Sequence, residues 1–199
     1  MPRPRAHAPE AVLDAAEDLL VEHGRAGLTV RALSERAGVS NGSIYHAFGT
    51  LETVIAGALL RRAEEFLVLQ RSAVDEELTS RDGPRAVQAA ADAPARLADQ
   101  DVRAARLLVA LNRDDLLTDA VAEPVAARLR ALDAALLDTL RLLARAVRGR
   151  ADAAAVDVVT TCVVHLPTAL LFPRIRAGHV PPLTRTQLAA AVGAVLDCD

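Results

Sequence analysis

The residues whose types and spacing could do chemistry fall in one short string, Ser40-Asn41-Gly42-Ser43-Ile44-Tyr45-His46-Ala47-Phe48. Ser40 is an N-cap residue ahead of a short helical pattern. Ile44 and Phe48, four apart, predict an inward stripe shared with Leu33 and Ala37. Asn41, Gly42, Tyr45 and His46 then lie on other, exposed faces. An asparagine can meet an adenine edge through two hydrogen bonds in a major groove. A tyrosine hydroxyl and the amides of a helix N-terminus bind phosphates. A glycine early in a helix costs up to about 1 kcal/mol relative to alanine, and close approach of a second surface is one reason to carry it. The chemistry on offer is recognition, not bond making.

The elements that must position this string are short and locally punctuated. Thr29 is a candidate N-cap for a helix over Val30–Ala37, which Gly38 ends. Val39 is apolar in the turn and should plug the space between two helices. Thr50 caps a long helix with Glu52 in its first turn, running to about Leu78. Ahead of these, Val12, Ala15, Ala16, Leu19 and Leu20 follow helical spacing from Pro9 to His23, and Gly24 stops that helix. Between Gly24 and Phe48 three arginines (Arg25, Arg31, Arg36) face one acid, Glu35, so the strip is basic within a chain of net charge −3. From spacing alone, an ordinary αα-corner with a solvated face and a DNA-reading helix-turn-helix fit equally well.

Composition bounds the rest. The 199 residues are 52% hydrophobic and 2% aromatic, with 42 Ala, 30 Leu, 23 Arg, no Lys and 3 Ile. Good helix formers that are poor strand formers predict an all-α protein and leave little room for a β-sandwich or a parallel-sheet enzyme. The net charge argues against non-specific coating of nucleic acid. Cys162 and Cys198 stand far apart with no metal-ligand spacing, the pattern of a cytoplasmic protein without a disulfide framework. No phosphate loop, metal spacing or nucleophile elbow is present, so no enzyme, cofactor or metal is expected. The opening MPRPRAHAPE has no apolar run and predicts no signal peptide. The most apolar stretch, Ala151 to Phe172, is interrupted by Asp152, Asp157, His165 and Pro167, which predicts a buried helix and no membrane span. Further helices are expected over residues 85–98 with Pro94 as a kink, 101–112, 118–147, 151–177 with bends near Pro167 and Pro173, and 184–196.

The whole string decides between the two readings. AVLDAAEDLLVEHG (Ala11 to Gly24), LTVRALSERAGVS, GSIYHAF and the acidic start of the fourth helix closely resemble the DNA-binding domain of the TetR family of transcriptional regulators. The resemblance covers about the first 60 residues. It implies an N-terminal three-helix helix-turn-helix domain (residues 1–49) joined by a long helix to a helical effector-binding and dimerisation domain (residues 50–199). It implies that Thr29 caps the second helix and touches a phosphate, and that Arg31 reaches a base or phosphate. Ser40, Asn41, Gly42 and Ser43 would lead the recognition helix, and Tyr45 and His46 would hold the backbone. Arg3 and Arg5 are candidates for the minor groove. Ala47 stands where the family commonly has Tyr or His, and Leu51 where it commonly has a phosphate-holding Lys, so weaker or more salt-tolerant binding is expected.

The second domain is larger than DNA binding requires. One reading helix covers too few base pairs for specificity, so two copies on a two-fold axis and a near-palindromic operator are expected. The apolar helix from Ala151 and the last helix are candidates for the dimer interface, and in the resembled family those two helices pair as a four-helix bundle. The fourth helix, at about 1.5 Å per residue, is a rod of roughly 40 Å able to carry a displacement from an effector cavity. Phe66, Asn112, Arg113 and His165 are candidate effector contacts. His165 equally fits a satisfied core group or a dimer seam, and Asn112 with Arg113 equally fits helix capping. The expectation is a homodimeric, ligand-responsive transcriptional repressor, with double-stranded DNA and a small molecule as partners and no membrane. The alternatives are a helical small-molecule-binding protein, or a protein-interaction adaptor, with a non-functional head.

Overall fold

A computed structural model describes residues 8–110 and 118–198. Among these residues regular structure is helical throughout, with no strand, as the composition predicts. The helices are α1 (Ala8–Gly27), α2 (Val30–Ala37), α3 (Asn41–Phe48), α4 (Leu51–Thr79), α5 (Gly83–Gln100), α6 (Val102–Ala110), α7 (Glu123–Arg148), α8 (Ala153–Arg176) and α9 (Pro182–Leu196). The chain divides into two compact units, Met1–Arg62 with Ala110–Ala131, and Ala63–Val109 with Leu132–Asp199.

In the first unit, Val12, Ala15, Ala16, Leu19 and Leu20 recur at helical spacing and bury one face of α1. Gly24, at φ +66° and ψ −172°, interrupts α1 four residues before Leu28, which is itself buried. α4 starts at Thr50, whose Oγ1 accepts from the Thr53 amide at 3.0 Å. Thr50 Oγ1 also lies 2.7 Å from the Ala120 carbonyl, to which it donates, and the Ala122 amide donates to Thr53 Oγ1 at 2.9 Å. These bonds tie the segment ahead of α7 to the first turn of α4, where Val121 is buried. A second tie is ionic. Glu17 of α1, with its side chain 11% exposed, receives Arg61 on Oε1 at 2.6 Å and Arg62 on Oε2 at 2.6 Å. Arg61 also reaches Asp14 at 2.6 Å.

The second unit is built around small side chains. Ala86, Ala90, Ala91, Ala93 and Ala95 of α5 are fully buried, so neighbouring helices approach its backbone closely. At the start of α5, a Cβ on Gly83 would stand 2.7 Å from the Ala146 carbonyl oxygen of α7, which is why no larger residue fits there. The core is completed by Leu140, Leu143, Val159, Leu171, Ile175 and Leu188. Arg185 of α9 bridges to Asp92 and, at 2.7 Å, to Asp99 on α5.

α8 departs from the expectation of a buried helix. It is long and apolar enough to cross a membrane by length and composition, yet only 33% of its most apolar window is buried. Val159, Cys162, Val163, Leu171 and Ile175 reach the core of the second unit, while Ala154, His165, Thr168 and Ala169 are exposed. The bend comes from a π-helical turn over Thr161–His165, in which the Leu166 amide donates to the Thr161 carbonyl five residues back. Pro167 comes two residues after the turn and has no N–H to give, so the wider turn sits next to where the regular ladder is broken anyway.

Candidate nucleic-acid interface

The turn between α2 and α3 satisfies its own end groups. Thr29 is extended at φ −124° and ψ 157°, and its Oγ1 accepts from the Ala32 amide at 3.1 Å. Gly38 takes the left-handed conformation (φ +67°, ψ 29°), which costs nothing without a Cβ, and its amide donates to the Ser34 carbonyl. Ser34 Oγ donates to the Val39 carbonyl at 2.6 Å, fixing the residue after the glycine. Ser40 caps α3 by accepting from the Ser43 amide at 3.1 Å, with the two serine hydroxyls 2.8 Å apart. Val39, placed as the plug of the turn, is half-buried.

The outward face of α3 follows from one anchor. Ile44 is buried and Phe48 half-buried. Asn41, Gly42, Ser43, Tyr45, His46 and Ala47 are all exposed, Tyr45 by 54%. A Cβ on Gly42 would meet only Ser40 Oγ, at 3.8 Å, so the protein's own packing does not call for a glycine there. A 530 Å³ cleft runs beside this face, between Pro9 and Val12 of α1 and Ser43 and Ala47 of α3.

Charge is arranged differently from what a count of arginines implies. Each arginine of the strip meets a carboxylate: Arg25 with Glu52 at 3.3 Å, Arg31 with Glu35 at 2.9 Å, and Arg36 with Glu22 at 2.8 Å. Two of those acids come from α1 and α4, outside the strip. Hydrogen bonding from Glu35, and then its charge, holds the Arg31 guanidinium still more firmly protonated. The Arg31 side chain is 86% exposed, so this pair is bathed in water and screened.

Residues 12–56 match the model of the bacterial regulatory proteins of the tetR family. That stretch is the N-terminal DNA-binding domain of the tetR family of bacterial regulatory proteins. Solved structures extend the likeness, as fold, along nearly the whole chain. A TetR-like transcriptional regulator from Rhodococcus sp. RHA1 is 17% identical over 98% of this chain and 96% of its own, at a TM-score of 0.64. Another transcriptional regulator from the same source is 24% identical over 95% and 96%, at 0.66. PfmR, a TetR-family transcriptional regulator from Thermus thermophilus, is 17% identical over 93% and 96%, at 0.66. No curated protein matches the sequence. The match makes the helix-turn-helix within residues 12–56 a DNA-binding element, and α3 is its second helix.

Of the candidate effector contacts, Phe66 and His165 fall within the described residues. Asn112 and Arg113 lie outside the described residues, as do Arg3 and Arg5. Phe66 is half-buried and packs on the core of the second unit. His165 is exposed at the end of the π-helical turn and is no core group. A 310 Å³ cleft in the second unit is instead lined by Glu77, Arg85, Asp92, Arg96, Arg185 and Leu188, among others. Two arrangements fall on residues that the sequence did not single out. The Glu17–Arg61–Arg62 clamp is one, signalled only by the adjacent arginines. The other is buried Gln70, which bonds the Ala90 carbonyl at 3.1 Å.

Proposed function

We propose that this protein is a homodimeric, ligand-responsive repressor of the TetR family, cytoplasmic and released from a near-palindromic operator by a small molecule. Residues 1–49 read DNA in this account, and residues 50–199 take the effector and dimerise. The observation that carries it is the outer face of α3, where Asn41, Gly42, Ser43, Tyr45 and His46 are exposed together while Ile44 anchors the helix. Ser40 to Ser43 lead into the major groove, with Asn41 on a base edge. Gly42 lets the backbone come close. Thr29, Tyr45 and His46 hold phosphates, and Arg31 exchanges Glu35 for a base or phosphate.

Dimerisation is supported by the apolar surface that α8 and α9 leave uncovered. Ala154 and Ala169 of α8 and Leu183, Ala190 and Ala194 of α9 are all exposed in the single chain. A second copy would bury them and set two reading helices on one duplex.

Fluorescence anisotropy with a labelled duplex from the protein's own upstream region tests the DNA reading. Asn41→Ala with Tyr45→Ala should weaken binding at least tenfold while leaving the circular dichroism spectrum unchanged. Equal affinity would overturn the assignment of this face. Sedimentation of an Ala190→Glu, Ala194→Glu variant tests the interface, which requires a monomer; a dimer of unchanged stability would place the seam elsewhere.

A further inference from the structure

The interior of the second unit contains a side chain whose packing uses only half of its hydrogen-bonding capacity. Gln70, on α4, is 2% exposed. Its Nε2 donates to the Ala90 carbonyl of α5 at 3.1 Å. The sequence supplies the reason for that bond. Pro94 lies four residues beyond Ala90 within α5 and has no N–H, so the Ala90 carbonyl has no α-helical donor. The bond fixes the carboxamide: its NH2 faces α5, and Oε1 points the other way. Oε1 is buried and meets no hydrogen-bond donor among the described residues. Capping the Ala90 carbonyl explains the nitrogen of Gln70 and leaves the oxygen unexplained, although a buried acceptor without a donor is costly.

The surroundings narrow what would satisfy it. Among the described residues of the second unit, the buried polar side chains are Gln70, Thr139 and Thr184, none of them charged. A charged ligand would lie there without a counter-ion. Among the described residues, Phe66 and Phe172 are the aromatic side chains packed on the hydrophobic cluster that includes Ala90 and Val74, both half-buried, so the walls are aliphatic, built of alanine, valine and leucine. We propose that Gln70 Oε1 is the polar anchor of an internal site for a small, uncharged, largely aliphatic molecule that donates one hydrogen bond, an alcohol or a primary amide in class. This rests on the ligand-responsive reading above and names the chemistry of its effector. The charged cleft of the second unit does not include Gln70 among its lining. Entry therefore requires α4 and α5 to part locally, and the apparent affinity for a simple probe is reduced by the population of that open state.

The test titrates full-length protein carrying labelled glutamine with straight-chain alcohols from ethanol to octanol, and with the methyl ether of each. NMR reads the Gln70 side-chain signals. At least one alcohol should shift them and bind at least tenfold more tightly than its ether, which accepts but cannot donate. Gln70→Met should abolish that preference. Because this change also strips the Ala90 carbonyl of its donor, it is paired with Pro94→Ala, which restores an N–H four residues on. Pro94→Ala alone should keep the preference. The site is overturned if alcohols and ethers bind alike, if no alcohol binds, or if the preference survives in Gln70→Met with Pro94→Ala. A single water on Oε1 that no alcohol displaces belongs to the second of these outcomes. Release of a bound duplex is measured separately. Selective binding that needs Gln70 but leaves the duplex in place would uphold the site and defeat the ligand-responsive reading. Release that is equal in wild type and double variant would do the reverse.

Discussion

The turn between α2 and α3 and the bend within α8 both redirect the chain, and they do it by different means. At the first, side chains and a glycine hold the redirected chain locally: Thr29 and Ser40 cap with their hydroxyls, Gly38 adopts the left-handed conformation, and Ser34 Oγ donates to the Val39 carbonyl. At the second, no side chain caps the π-helical turn or the segment after it, and direction is held by burying Cys162, Val163, Leu171 and Ile175. Helices of eight residues buried at few positions need their own bonds. A long helix lying on a core does not.

The largest effect should come from the buried side. Leu171→Ala removes a fully buried side chain and should cost about 2–5 kcal/mol in urea unfolding. A loss below 1 kcal/mol would mean that the second unit is not held by this packing. Glu17→Ala comes next, because it leaves Arg61 and Arg62 facing each other without their shared carboxylate. With both arginines partly in water, about 2–3 kcal/mol is expected from the same measurement. Gly38→Ala should cost about 1–2 kcal/mol through its positive φ alone, since nothing lies within 4 Å of a Cβ there. Gly42→Ala sharpens the contrast, because stability and binding should move in opposite directions. The melting point should rise, by up to about 1 kcal/mol in stability, while duplex affinity falls. Parallel movement of the two would remove the case for close approach. The smallest effect concerns Cys162, whose thiol burial pushes up to about 11 from an ordinary 9.0. The unfolded chain loses this proton first, so stability should decline as pH rises from about 9 towards 11 and be unaffected below that window. At pH 8 a thiol reagent should label exposed Cys198 and spare Cys162 in the native protein.

The head was legible in the sequence because its instructions are local. Thr29, Gly38 and Ser40 each act on residues within five positions, and the limits expected for α2 and α3 hold to within a residue or so. Charge was not legible, since Glu22 and Glu52 reach the arginine strip from helices that only folding brings near. The degree of burial of α8 was misread for a related reason. Its composition reports that the face is apolar, while its neighbours in space decide whether that face is covered. Gln70 left a faint trace, as the proline in α5 announced an unpaired carbonyl without saying which helix would supply the donor.

If α2 and α3 read DNA as proposed, the pairing of Arg25, Arg31 and Arg36 with carboxylates has a consequence for search along a genome. A head whose cations are already engaged exerts little long-range pull on any stretch of duplex, so random sites hold it briefly. Residence then depends on whether the backbone at a site is shaped to exchange those carboxylates for phosphates all at once. The discrimination is set as much by acids that never touch DNA as by the residues that do.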